Sequence, residues 1–266
     1  MKTCIPYVLL MFVACGACGR SSVGTEIRHA EELVGIGEFE NAIGVLGRAV
    51  QHETDRERQA LLWLKIADLY SSGMRNETQA FVALNRVVAL SSLGDAGRQA
   101  RERRAVFFEK TGEVESFITE MGNLTKYYPR HPLHRWYRLR MAEGFLMADR
   151  WEEARAELRE LLAEEECPQP LVPRILFDLG ETYALGGEPD LAKDYYYTLI
   201  RRFPESALAA ESKLKLAGSV EELGYAGTAY RLIAEAARDY PNPAAAAVRL
   251  ESLAARGSQK APPPQP

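Results

Sequence analysis

Apolar positions recur at helical spacing through almost the whole chain, and the stripes come in pairs. Leu139, Ala142, Phe145 and Leu146 line one face of a helix, and Ala154, Leu158, Leu161 and Leu162 line a face of the next. A small residue marks the same point of each first helix, at Ala30, Ala67, Ala105, Ala142, Gly180 and Ala217, with spacings of 37 or 38 residues. A second series follows at Ala42, Ala80, Phe117, Ala154, Ala192 and Ala229. One period held this long predicts stacked copies of a helix-turn-helix unit. The small residues predict where the two helices of a unit cross closely, because a larger side chain there would push the backbones apart.

The fifth unit reads Leu176-x2-Leu179-Gly180-x2-Tyr183, a turn at Gly186-Gly187-Glu188-Pro189, Ala192-x3-Tyr196 and a closing Phe203-Pro204. It resembles a tetratricopeptide repeat, with Leu176 where Trp is usual. The second unit supplies that Trp, as Trp63-x2-Ile66-Ala67-x2-Tyr70 followed by Ala80-x3-Leu84. The resemblance implies an all-α, right-handed α-solenoid of about six helix-turn-helix repeats over residues 25–241. A capping helix over 242–256 and a Pro-rich disordered tail over 257–266 complete the expectation. Gly35-Ile36-Gly37, Thr111-Gly112, Asp149-Arg150 and Leu223-Gly224 carry the other turn signals. Phe117, large where the series is small, singles out the third unit as the one whose local geometry should differ.

The amino terminus reads as an address. Met1-Lys2 precedes an uncharged stretch from Ile5 to Ala14, too short to span a bilayer as an ordinary helix and of signal-peptide length. Phe12-Val13-Ala14-Cys15-Gly16-Ala17-Cys18-Gly19 then resembles a bacterial lipobox, in which small residues precede a Cys that is acylated and becomes the first residue of the mature chain. Val13-Ala14 favours Cys15, and Cys18 is the alternative. The implied layout is a signal peptide over 1–14, a short tether over 19–24 and a membrane attachment by two or three acyl chains. Gly after either Cys, by resemblance to enterobacterial sorting, favours an outer-membrane address facing the periplasm.

Composition removes several classes of chemistry. A formal net charge of -4 gives no basic stripe for nucleic acid, and Arg98, Arg101, Arg103 and Arg104 spread around a helix among Glu102 and Glu109. His131 and His134 lie in a Pro-containing loop without a third ligand at metal spacing, so no metal site is expected. Gly35 and Gly37 follow no strand, so they form no dinucleotide fingerprint. With Cys4 lost alongside the signal and one Cys acylated, no disulfide framework remains. No catalytic residue, cofactor or small-molecule substrate is inferred.

What remains is the surface of the first helices, which lines the concave groove in the family it resembles. One residue after each small residue stand Glu31, Asp68, Val106, Glu143, Glu181 and Gly218, and three before stand Ile27, Leu64, Glu102, Leu139, Phe177 and Leu214. Trp136 and Arg174 add to the middle. One reading is a row of solvated acids. The other is an acidic groove with apolar pockets, formed by Glu31, Asp68, Trp136, Leu139, Glu143, Arg174, Phe177 and Glu181 and suited to a basic and apolar segment of a partner protein. Acids here would also repel the terminal carboxylate that some tetratricopeptide adaptors clamp.

A lipobox ahead of helical repeats closing in aromatic-Pro, as in Arg202-Phe203-Pro204, resembles the BamD-type lipoproteins of outer-membrane barrel assembly. The coordinator of the Tol-Pal system ranks lower, because that family carries a coiled-coil segment ahead of its repeats. The resemblance implies a non-enzymatic scaffold whose partners are other envelope proteins. The alternative is an accessory subunit of a cell-wall or secretion complex. Mass spectrometry of detergent-phase protein is expected to find an acylated first peptide beginning at Cys15; an unmodified soluble chain would remove the anchor.

Overall fold

The structure is a computed structural model that describes residues 15–239, 244, 247–248 and 250–252. The expected signal peptide and tail lie outside the described residues, as does most of the capping segment, whose described positions 244, 247, 248 and 250–252 are helical. Among the described residues there are twelve α-helices and no strand. They are α1 (Cys15–Gly35), α2 (Phe39–His52), α3 (Arg56–Asp68), α4 (Glu77–Leu90), α5 (Asp95–Thr111) and α6 (Val114–Tyr127). The series continues with α7 (His134–Met147), α8 (Trp151–Ala163), α9 (Val172–Leu185), α10 (Pro189–Arg202), α11 (Ala209–Glu222) and α12 (Ala226–Asp239). Helix is continuous from Cys15, so residues 19–24 run directly into the first repeat.

The chain divides into two compact units, Met1–Tyr128 and Pro129–Pro266. Each holds three helix pairs, α1–α2 through α5–α6 in the first and α7–α8 through α11–α12 in the second. Both series of small residues are buried at every position, including Phe117. Where the first series has glycine, the crossing leaves no room for a side chain. A Cβ placed on Gly180 would lie 2.4 Å from Cε1 of the Tyr196 ring, far inside contact distance. Tyr196 fills the space that the missing side chain leaves.

The turns obey the same register. The residue five before each second small residue has positive φ: Gly37, Arg75, Gly112, Asp149, Gly187 and Gly224. Glycine occupies four of the six, since it alone enters this region without a Cβ penalty, and aspartate is among the residues that tolerate it. Arg75 is the exception, and its repeat has another irregularity. Ala67 and Ala80 are 13 residues apart where every other pair is 12. The extra residue is taken up by a π-helical turn over Leu69–Gly73, in which the Met74 N–H donates to the Leu69 carbonyl at 3.0 Å.

Ends are set by local chemistry. Asp55 and Asn76 cap α3 and α4 by accepting from the backbone N–H of Arg58 and Gln79. Pro189 opens α10, where its missing N–H costs nothing. Helices α6 and α10 stop before Tyr128-Pro129 and Phe203-Pro204, as proline requires of the residue ahead of it. Tyr128 then donates its hydroxyl to the carbonyls of Ser92 and Gly94, tying that loop back to the start of α5.

Replacing Gly180 or Ala142 with Leu is expected to destabilise the second unit by about 1–3 kcal/mol through overpacking. Gly180→Leu should be the worse of the two because the Tyr196 ring already fills its space. Urea unfolding measures both, and unchanged midpoints would mean that the helices do not cross at these residues.

Candidate functional site on the first helices

Position relative to the small residue decides which side chains reach the surface of α1, α3, α5, α7, α9 and α11. At about 100° per residue, positions six before, two before, one after and five after fall within an arc of about 60°. The position three before lies about 40° beyond that arc. Accordingly Leu139 and Phe177, expected in the groove, are buried at 3% and 6% exposure. Phe177 meets the ring of Tyr196 edge-on at 6.0 Å between centroids. Both support the surface from beneath and offer none of it.

Trp136, six before Ala142, is at the surface with 37% exposure, and Arg140 lies over its ring at 5.9 Å. Arg174 is the equivalent residue on α9 and is also exposed. Met147 and Leu185, five after their small residues, are exposed at 48% and 55%. These two escaped sequence reasoning, which did not read that row. In the first unit Leu61 and Val106 occupy corresponding surface positions.

The acids one after the small residue are all present on these helices, but they do not make an acidic groove. Each is paired with a base from the next repeat of its own unit. Glu31 meets Lys65 at 2.8 Å and Asp68 meets Arg103 in the first unit. In the second, Glu143 meets Arg174 at 2.9 Å and Glu181 meets Lys215. The cause is a second row in the sequence. Two residues before each small residue stand Arg28, Lys65, Arg103, Arg140, Asp178 and Lys215, five bases and one acid. Stacking brings this row alongside the acids of the preceding repeat. The surface is therefore zwitterionic, and the repulsion expected for a partner's carboxylate is offset by neighbouring bases. Exposed pairs of this kind contribute about 0–1 kcal/mol each.

Asp178 breaks the row, and the local structure bends around it. Arg174, one turn earlier on α9, takes over the role of the missing base. Its Nε lies 2.9 Å from Glu143 Oε1 and donates to Asp178 Oδ2 at 2.9 Å. Asp178 itself is buried, and desolvation raises its pKa to about 7 against the pull of Arg174, with Glu143 and Glu181 adding to the rise. Tyr196, fully buried, donates its hydroxyl to Glu181 and is pushed far above the usual phenol range, first by burial and then by that carboxylate. Glu181 thus joins α9, α10 and α11 through Tyr196 and Lys215.

The remaining chemistry-bearing residues have local duties. His131 Nδ1 accepts from the Leu133 N–H, and its ring stacks on Tyr137. Burial lowers the pKa of His134 and raises that of Cys167, the free thiol nearby. Among the described residues no cluster of three metal-ligating side chains occurs, and no helix is long and apolar enough to cross a membrane.

Asp178 generates a pH prediction. Its folded pKa lies above the ordinary carboxylate value near 3.9, so between about pH 4 and 7 the native state keeps a proton that the unfolded chain has lost. Stability from this group therefore falls as pH rises through that window, with a slope of at most about 1.4 kcal/mol per pH unit. Asp178→Asn should gain on the native protein steadily from pH 4.5 to 7 in urea unfolding. A constant difference across that range would show that Asp178 ionises normally.

Comparison with known proteins agrees with this architecture. A tetratricopeptide repeat profile matches residues 174–206, which are α9, α10 and the closing Phe203-Pro204. The fold is similar to PilW, a type IV pilus biogenesis factor, at TM-score 0.54 and 18% identity over 82% of this chain and 94% of that one. It is also similar to YrrB, a tetratricopeptide protein with an unusual peptide-binding site, at TM-score 0.57 and 12% identity over 77% and 97%. Pseudomonas aeruginosa pilF gives TM-score 0.55 and 13% identity over 90% and 99%. No curated protein matches the sequence. The chain carries a tetratricopeptide repeat at residues 174–206, and its helix pairs have the tetratricopeptide-type solenoid fold.

Proposed function

We propose that the protein is a non-enzymatic scaffold that binds an apolar-anchored segment of an envelope protein on the first helices of its second unit. Acyl chains on Cys15, or on Cys18, hold it at the outer membrane facing the periplasm, and envelope-protein assembly of the BamD type is its context. The observation that supports this most is the exposure of Trp136, Met147 and Leu185 on the face that also carries the paired charges of Glu143 and Glu181. Large apolar side chains among committed ion pairs favour a partner that brings apolar anchors of its own. Neutralised charge also means that affinity should depend little on salt.

A second reading makes the protein an accessory subunit of a secretion or pilus complex. PilW is a pilus biogenesis factor, and PilW and pilF share this fold with nearly their whole length covered. Crosslinking and pulldown from intact cells separates the two. Barrel-assembly subunits support the first reading, and pilus, secretion or cell-wall subunits support the second.

Trp136→Ala is expected to weaken capture by about 2 kcal/mol or more, as truncation of a buried aromatic anchor does. Leu185→Ser should act in the same direction. Arg159→Glu, on α8, should leave capture unchanged at low and at high salt. Loss of the partner with Arg159→Glu alone would move the binding surface to the second helices.

A further inference from the structure

In repeat five the base of the first helix has moved. Two residues before the small residue, where repeats two, three, four and six have Lys65, Arg103, Arg140 and Lys215, stands Asp178, and the base comes one turn earlier as Arg174. That position holds Leu61 in repeat two and Trp136 in repeat four, so the guanidinium lies in a row of exposed apolar residues.

It is also held differently. Lys65, Arg103, Arg140 and Lys215 each meet an acid with a terminal nitrogen. Arg174 meets Glu143 and Asp178 with Nε, 2.9 Å from each. Those carboxylates are 11% and 2% exposed, whereas the Arg174 side chain is 44% exposed. Neither of its Nη groups makes a hydrogen bond to a described residue. The guanidinium is thus fixed at Nε and keeps its fork for an incoming group. A side chain ordered beforehand loses little rotamer freedom on binding.

Two parallel N–H donors on a planar cation match a carboxylate bidentately. The fork is connected to the exposed indole: Arg140 lies over the Trp136 ring at 5.9 Å and pairs with Glu143, which pairs with Arg174. Exposed apolar residues stand on α7, at Trp136 and Met147, and at the far end of α9, at Leu185. A segment that uses them continues past Arg174 in both directions, which fits an Asp or Glu side chain better than a chain terminus.

We propose that, on the partner surface assigned above, Arg174 determines specificity by selecting segments in which an Asp or Glu side chain stands beside the apolar anchor that meets Trp136. This selectivity rests on that assignment of the surface. The charges around Asp178 set its pH range. Glu143 and Arg140 belong to α7, Arg174 and Glu181 to α9, the buried Tyr196 to α10, and Glu211 and Lys215 to α11. Burial raises the pKa of Asp178 to about 7, so below that pH three acids, Glu143, Glu181 and Glu211, stand against three bases, Arg140, Arg174 and Lys215. Above it, ionised Asp178 adds a negative charge beside the bound carboxylate and weakens its hold.

Selection of a random dodecapeptide display library on the full-length protein tests this. The native protein should enrich peptides with Asp or Glu close to Leu, Phe or Trp. The best of them, made with an amidated C-terminus, should lose at least about tenfold in affinity when its acid is changed to the amide, or when the protein carries Arg174→Gln. Arg174→Lys, which keeps the charge without the fork, should not restore binding. Native affinity should fall between about pH 6 and 8, and Asp178→Asn should remove that fall. Apolar enrichment that depends on Trp136 but carries no acid would overturn the selectivity and leave the surface assignment standing. Equal affinity for the acid and amide peptides would do the same. No enrichment, or enrichment unchanged by Trp136→Ala, would overturn both.

Discussion

Each repeat depends on a close crossing between its two helices, and the crossing of α9 over α10 shows the constraint most plainly. Gly180 has no side chain because the ring of Tyr196 stands where a Cβ would be. A crossing this close fixes where the chain must turn, which is why a left-handed residue recurs five positions before every second small residue. It also explains the one irregular repeat. With an extra residue between Ala67 and Ala80, the second helix can keep its place only if the first widens, and the π-helical turn after Asp68 does so.

Once the crossings set the repeat, the repeat sets the electrostatics. Acids one position after the small residue face bases two positions before it in the following repeat, so the charged rows hold neighbours together. They are not left open for a partner. At Asp178, where the following repeat has an acid in place of the base, Arg174 reaches across from one turn earlier and serves two carboxylates. Violations of a local rule in an otherwise regular array tend to mark functional or strained positions. This one lies on the same face as Trp136 and Leu185, two of the exposed apolar residues of the second unit.

Much of this was legible in the sequence, because the two small-residue series and the turn glycines are set by steric rules that leave few alternatives. The burial of every small position followed from those series. The surface was harder. Leu139 and Phe177 sit only about 40° from the exposed arc, a difference that a single helix pattern does not resolve and that packing of the next helix decides. Glu31, Asp68, Glu143 and Glu181 looked like free acids because one row was read without its partner row, in which Lys65, Arg103, Arg140 and Lys215 were equally visible. Arg101 and Arg104 meet the buried Glu120 in an ion cluster that was seen only as a basic run on a solvated helix. Its burial depends on α6, whose Glu120 lies nineteen residues beyond Arg101.

The claim on which the rest turns is that the acids of the first helices bind the neighbouring repeat. A double-mutant cycle on Glu181→Gln and Lys215→Met, read by urea unfolding at low and high salt, measures it most directly. The account predicts a favourable coupling of about 0.5–1 kcal/mol that shrinks as salt rises. Additive effects of the two substitutions at low salt would contradict it.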